Sequence, residues 1–237
     1  MRFIFNQHPR RGDCKRKLVI SAVLAVLCGW GVSDPVMAQN LERGKEINAT
    51  CAGCHGDLGQ GGKRGEYPRI SGQRVGYLVA QLQAFRKRTR MNLAMFPYTQ
   101  ERELSEQDIA DVSAYLASVE LSTEWPKFAP DDDALTRLAA VEKVMIIARA
   151  PGDVDNGGRI YSAECALCHG DDGRGKRKFP RLVGQYSNYL LKQMHAYRQG
   201  ERPHDEEGMT GALTPLNASD LQDLLAYLTT LQASGKP

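Results

Sequence analysis

The seven residues Cys51-Ala52-Gly53-Cys54-His55-Gly56-Asp57 return as Cys165-Ala166-Leu167-Cys168-His169-Gly170-Asp171. Laid on itself at an offset of 112 to 114, the chain repeats outward from these two points. Tyr67-Pro68-Arg69 matches Phe179-Pro180-Arg181, Gly72-Gln73 matches Gly184-Gln185, and Tyr77-Leu78 matches Tyr189-Leu190. Phe85-Arg86 matches Tyr197-Arg198, and Ala114-Tyr115-Leu116 matches Ala226-Tyr227-Leu228. The drop in offset places two extra residues in the first copy, between His55 and Tyr67. A long period occurring twice means duplicated domains rather than a solenoid. The division expected is a leader over 1–38, domains over 39–120 and 155–237, and a connector over 121–154. Each copy is about 80 residues, small for an unaided core, so something has to reinforce it.

Each copy reads as helices and loops, with no alternating strand pattern. A helix precedes each cysteine pair, from about Leu41 and from about Asn156, and a glycine-rich loop follows each histidine. A second helix is expected over Val75 to Lys87, with Leu78, Leu82 and Phe85 at helical spacing, and its partner over Asn188 to Gln199. A last helix follows Ser105 in the first copy, with Asp108 at its third position, and Asn217 and Asp220 do the same in the second, both pairs spaced as capping boxes. Its apolar stripe is Ile109, Val112 and Leu116, or Leu221, Leu224 and Leu228. In the connector, Asp131 to Asp133 suits a helix start, with a helix over Ala134 to Val144. Met145 to Ala148 fits a continued helix or an extended segment. Trp125 and Phe128 are candidates for pinning the connector to a domain. The connector itself reads as packed linkage, the alternative being a spacer that fixes the domains relative to each other.

The 237 residues are 42% hydrophobic and 25% charged, ordinary globular composition that excludes a disordered or multi-span membrane chain. The formal net charge is +3, but the first 38 residues hold six of the basic and two of the acidic residues. Without them the balance is 25 basic to 26 acidic, which argues against a nucleic-acid partner. Those residues read as a secretory signal. A basic stretch ends at Lys17, an apolar run follows from Leu18 to Ser33, and Val36-Met37-Ala38 offers cleavage after Ala38. The apolar run is 16 residues, short of the roughly 20 that a membrane span needs. The expectation is an exported, periplasmic protein with at most peripheral membrane association.

Six cysteines are present, and Cys14 and Cys28 leave with the leader. The other four all lie in C-x-x-C-H, a haem attachment sequence with a mechanical reason. Two thiols one helical turn apart add to the two vinyl groups of one porphyrin edge. The adjacent histidine falls under the iron and supplies an axial nitrogen. Two covalent haems c are therefore expected, on Cys51 and Cys54 with His55, and on Cys165 and Cys168 with His169. A zinc site would want a second cysteine pair nearby, and the pairs are 114 residues apart. A thioredoxin-type dithiol belongs in a βαβ setting, which the helical reading lacks.

Five methionines remain after the leader: Met91, Met95, Met145, Met194 and Met209. Met209 stands in a loop before the last helix, where a thioether can reach iron. Met194 is mid-helix core filler. His204 is the rival to Met209, and His195 reads as a surface residue. The first copy breaks the symmetry, because Pro97 occupies the position matching Met209. Met95, two residues away, is the expected ligand there and Met91 the alternative. If neither binds, the first iron is five-coordinate or takes another ligand. Pro68 and Pro180 have carbonyls that can accept the other ring N–H of His55 and His169. Arg69, Arg181, Tyr77 and Tyr189 are candidates for holding haem propionates.

Taken together, CAGCHG, YPRISGQ, YLVAQL, FRKRTR, LSEQD and AYL in the first copy, and CALCHG, FPRLVGQ, YLLKQM, YRQGER, Met209, LNASD and AYL in the second, resemble the dihaem class I cytochromes c of the cytochrome c4 type. Pro97 and the long connector depart from that pattern. The resemblance implies an all-α fold of two tandem class I cytochrome c domains related by pseudo-twofold symmetry. It also implies a periplasmic carrier passing electrons between redox donor and acceptor proteins, a terminal oxidase or a dehydrogenase among them. No catalytic acid/base pair or nucleophile constellation is visible, so the leading reading is an electron carrier rather than an enzyme. The alternatives are a cytochrome subunit of a larger dehydrogenase or oxidase complex, and a peroxidase-type haem enzyme with an open coordination position.

Overall fold

The computed structural model describes residues 38–202 and 211–232. The leader ahead of Ala38, and Met209 and His204, lie outside the described residues. In the first copy, α1 (Leu41–His55) starts where the Asn40 side chain accepts the Arg43 N–H, and it ends at Gly56 with φ 78°. Helix α2 (Val75–Arg86) follows the glycine-rich loop. Helix α3 (Glu106–Ser118) opens on a complete capping box between Ser105 and Asp108. The connector carries α4 (Ala134–Glu142), capped by Asp133. The second copy repeats the first as α5 (Val154–Ile160), a π turn (Tyr161–Cys165), α6 (Ala166–His169), α7 (Ser187–Arg198) and α8 (Ala218–Leu231). Asn217 and Asp220 form the second capping box. Among the described residues there are no strands, only two isolated bridges, Gly62 with Tyr67 and Ser122 with Val144.

The π turn has a cause in the sequence. From its cap Asn40 to His55 the first copy needs one residue fewer than the second does from Asp153 to His169. A π turn absorbs one extra residue without breaking a helix. Both ends therefore keep equivalent places. The Asn40 N–H donates to Asp111 Oδ1 at 2.8 Å, and the Asp153 N–H donates to Asp223 Oδ1 at 2.8 Å.

Helices α1 and α3 cross where Gly44 lies against the Asp111 backbone, and α5 and α8 cross where Gly157 lies against Asp223. A Cβ at Gly44 would stand 2.2 Å from the Asp111 carbonyl oxygen, and one at Gly157 would stand 2.0 Å from that of Asp223. Around these crossings the cores differ. The second copy buries Tyr161, Leu190, Met194, Leu221, Leu224, Leu225 and Leu228 together. The first buries Leu78, Val112 and Leu116, with Ile47, Ile70, Leu82 and Tyr115 at their edge.

The connector packs at its two ends, while α4 between them buries no residue. Beyond α4 the chain is extended, so Met145 and Ile147 turn inward while Ile146, between them, is 54% exposed. With Leu121 they form a small core against Leu58 of the first copy and Tyr186 of the second. Gln232 of the last turn clamps Ile147, accepting its N–H at 2.9 Å and donating to its carbonyl. The expectation for Trp125 fails: it is 63% exposed. Phe128 lies under Arg137 of the connector's own helix, 5.5 Å from guanidinium to ring centre. Met145 and Ile147 on the extended segment, with Leu121 just after α3, do the pinning instead.

Gly44→Ala and Gly157→Ala each introduce a Cβ that meets main chain rather than a flexible side chain. Each is expected to destabilise the folded protein by about 1–3 kcal/mol, read by denaturant unfolding.

Candidate functional site

Each C-x-x-C-H ends a helix, and glycine makes the ending possible. Gly56 and Gly170 take φ of 78° and 84°, a region that costs a side chain bearing Cβ, and their N–H groups close the last turn on Ala52 and Ala166. The loop then folds back. The Gly61 N–H donates to the His55 carbonyl at 2.6 Å, and the Gly175 N–H donates to that of His169 at 2.7 Å. This return brings Pro68 and Pro180 beside the rings. The distance from His55 Nδ1 to the Pro68 carbonyl oxygen is 2.9 Å, and His169 Nδ1 to Pro180 is the same. A carbonyl can only accept, so Nδ1 carries the proton and Nε2 carries the lone pair. Burial pulls the His55 pKa down against the opposing effect of the Pro68 bond. The imidazole is neutral and suited to ligate a metal.

Both histidines, all four cysteines, Pro68 and Pro180 line one cavity of 1740 Å³. Ordinary small-molecule sites run to roughly 300–1,000 Å³. Its walls are largely aliphatic and aromatic, including Leu78, Leu82 and Phe85 in the first copy and Leu190, Met194 and Leu228 in the second. None of the four cysteines is paired in a disulfide. Burial raises the Cys51 thiol pKa and pushes Cys165 up to about 12, marking the apolar setting of both sulfurs. Among the described residues no three His, Cys, Asp or Glu side chains cluster as a metal-binding group.

Met91 and Met95 both line the cavity. Met95 is half-buried, whereas Met91 is 63% exposed. Met194 is part of the second core and His195 is exposed on α7, as their positions suggested.

Arg69 and Arg181 meet where the two copies face each other. Arg69 Nε donates to the Ser71 carbonyl, Arg181 Nε to that of Val183, and Arg69 Nη1 reaches across to the Gly184 carbonyl at 3.5 Å. Arg69 Nη2 is buried with no hydrogen-bond partner. Burial pulls the Arg69 pKa down to about 9, with the charges of Arg181 and Arg174 adding to it. Burial likewise takes Arg181 to about 10, with Arg174 next. A buried Arg69 with an unfilled donor and a half-buried Arg181, neither bonded to a carboxylate among the described residues, call for an anion. A group that is apolar over most of its area and carboxylated at one edge fits this cavity. The residues present fit a haem in each copy.

Several side chains join the copies in ways that residue type alone does not announce. Arg90 donates to Gln81 of its own copy and to Tyr189 and Gln193 of the other. Arg202 mirrors it, bonding Gln193 of its own copy and Tyr77 and Gln81 of the other. The tyrosine hydroxyls expected to face a propionate are thus engaged by arginines. Gln73 and Gln185 also cross between the copies. Reciprocal pairing of this kind is the mark of a twofold-related interface. The usable signal was the recurrence of these residues at an offset of 112.

No helix among the described residues is long and apolar enough to cross a membrane. The profile of the family described as Cytochrome c matches residues 41–120 and 154–232. Over 224 residues the chain is 29% identical to cytochrome c4 of Pseudomonas aeruginosa, covering 91% of this chain and 98% of that one. It is 33% identical over 171 residues to the thiosulfate dehydrogenase electron acceptor of Stutzerimonas stutzeri, covering 72% and 73% respectively. Reduced recombinant cytochrome c4 from Pseudomonas stutzeri shares the fold, with a TM-score of 0.63 at 24% identity over 81% of this chain and 98% of that one. Two C-x-x-C-H helices ending on one large, mainly apolar cavity, in a chain matched twice by that family, leave one conclusion: the chain belongs to the cytochrome c family, as a dihaem electron-transfer protein of the cytochrome c4 type with two covalently bound c-type haems.

Proposed function

We propose that this chain, exported through its leader and cleaved after Ala38, carries single electrons between redox proteins of the periplasm. The observation that carries the site assignment is the duplicated histidine setting, a ring held at Nδ1 by a proline carbonyl beside two thiols on the cavity wall. In this reading Cys51 and Cys54, and Cys165 and Cys168, form the thioether bonds. His55 and His169 supply Nε2 to the two irons. Met209 is the second ligand in the second copy and Met95 in the first. Arg69 and Arg181 neutralise propionates, which would fill the vacant Arg69 Nη2.

Each bound haem would supply one-electron exchange, held by His55 with Met95 in the first copy and by His169 with Met209 in the second. The chain's own residues prepare that setting. The proline carbonyls fix ring orientation and basicity, the apolar walls exclude water, and the glycine-rich loops hold the carbonyls in place. Met95 suits the role better than Met91 because it is half-buried at the cavity wall.

The relative that accepts electrons from thiosulfate dehydrogenase favours a second reading, in which the donor is a sulfur-compound dehydrogenase and this chain is its electron-accepting partner.

Met95→Ala is expected to remove about half of the methionine-to-ferric near-infrared band and to let the ferrous protein bind carbon monoxide at one haem. Met91→Ala is expected to do neither. If the Met91 change alone has these effects, Met91 is the ligand; if neither change does, the ligand is not a methionine of this loop. For the second reading, the ferric protein mixed with a thiosulfate dehydrogenase and thiosulfate is expected to take up two electrons per chain. Absence of reduction sets that donor class aside.

A further inference from the structure

Pro68 C=O and Arg69 N–H are the two ends of one peptide group. Its oxygen accepts from His55 Nδ1 at 2.9 Å. Its N–H donates to Gln185 Oε1, in the other copy, at 3.0 Å. The second copy matches it. The peptide of Pro180 and Arg181 accepts from His169 at 2.9 Å and donates to Gln73 Oε1 of the first copy, also at 2.9 Å. Each glutamine completes the grip by donating Nε2 to the carbonyl of the same arginine at 2.8 Å. Gln73 and Gln185 are buried, 7% and 5% exposed. The Tyr186 N–H also donates to Gln185 Oε1, at 3.1 Å, which fixes that oxygen further.

We infer that Gln185 and Gln73 are positioning residues that tune the axial histidine of the opposite copy through a shared peptide group. This rests on His55 and His169 being the axial ligands. A peptide whose N–H is engaged is more polarised, and its oxygen is a stronger acceptor. A stronger pull on Nδ1–H makes the imidazole a better donor at Nε2, which favours the ferric state. The relay runs from Gln185 through the 68–69 peptide and His55 to the first haem, and from Gln73 through the 180–181 peptide and His169 to the second. The domain interface thus sets both potentials, each from the far side.

The test uses the full mature dihaem protein and a redox titration followed by NMR. His55 is recognised through its neighbour Tyr67, with ring centres 6.3 Å apart, and His169 through Phe179 at 6.4 Å. Gln185→Ala is expected to move the first haem toward the ferrous state and leave the second in place. The expected shift is about threefold, which at about 59 mV per tenfold for one electron is roughly +28 mV. It should also move the ferrous His55 Nδ1–H resonance upfield. Gln73→Ala is expected to do the same to the second haem and His169. Gln185→Glu keeps the acceptor oxygen and loses only the donor to Arg69, so the first haem should stay at or below its original potential. Should the alanine chain fail to fold, the glutamate chain decides alone, with a downfield or unmoved Nδ1–H expected. A shift at the variant's own haem, equal shifts at both, or a glutamate variant that raises the first haem would overturn the relay. Histidine rings that show no haem-induced shift in the unaltered protein would overturn the ligand assignment itself, and the relay with it.

Discussion

The hydrogen bond from each histidine Nδ1 to a proline carbonyl is the constraint around which each copy is arranged. It ties the end of the cysteine helix to the far side of the glycine-rich loop, at 2.9 Å in both copies. To make it the chain must leave the helix abruptly at Gly56 or Gly170 and return through Gly61 or Gly175, all at positive φ. The same bond chooses the tautomer, so the backbone path and the chemistry of the ring are settled together.

Around that bond the fold is built hollow. The helix crossings at Gly44 and Gly157 bring main chain against main chain, and Val112 and Leu116 of α3 and Leu224 and Leu228 of α8 line the cavity. The first copy's own core is small, built on Leu78, Val112 and Leu116. Two covalent porphyrins supply the apolar mass that about 80 residues cannot. The copies are not independent either. Arginine and glutamine side chains cross between them in reciprocal pairs, and the connector's Met145 and Ile147 fill the gap by Leu58 and Tyr186.

Much of this was legible in the residues. C-x-x-C-H fixed where two helices end, and the S-x-x-D and N-x-x-D spacings fixed where two others begin, because caps are local chemistry that tertiary context rarely overrides. The partnership of Pro68 and Pro180 with the histidines was expected because a proline carbonyl can accept the other ring N–H, the alternative being that Tyr-Pro and Phe-Pro only make turns. The π turn was harder. Its signal was one residue more between Asp153 and Cys165 than between Asn40 and Cys51, visible only once the caps are known. The recurrence of Gln73 as Gln185 at an offset of 112 was visible, but not their role, since a glutamine that grips a backbone across an interface looks like any surface glutamine until the interface exists. Trp125 misled because size is a poor guide to burial where a loop has nothing beneath it.

The most direct measurement is the mass of the mature, denatured chain. The account predicts a polypeptide beginning after Ala38 and heavier by two haems, with Cys51, Cys54, Cys165 and Cys168 all found as thioethers in its peptides. A mass equal to the bare polypeptide, or one haem only, would contradict it.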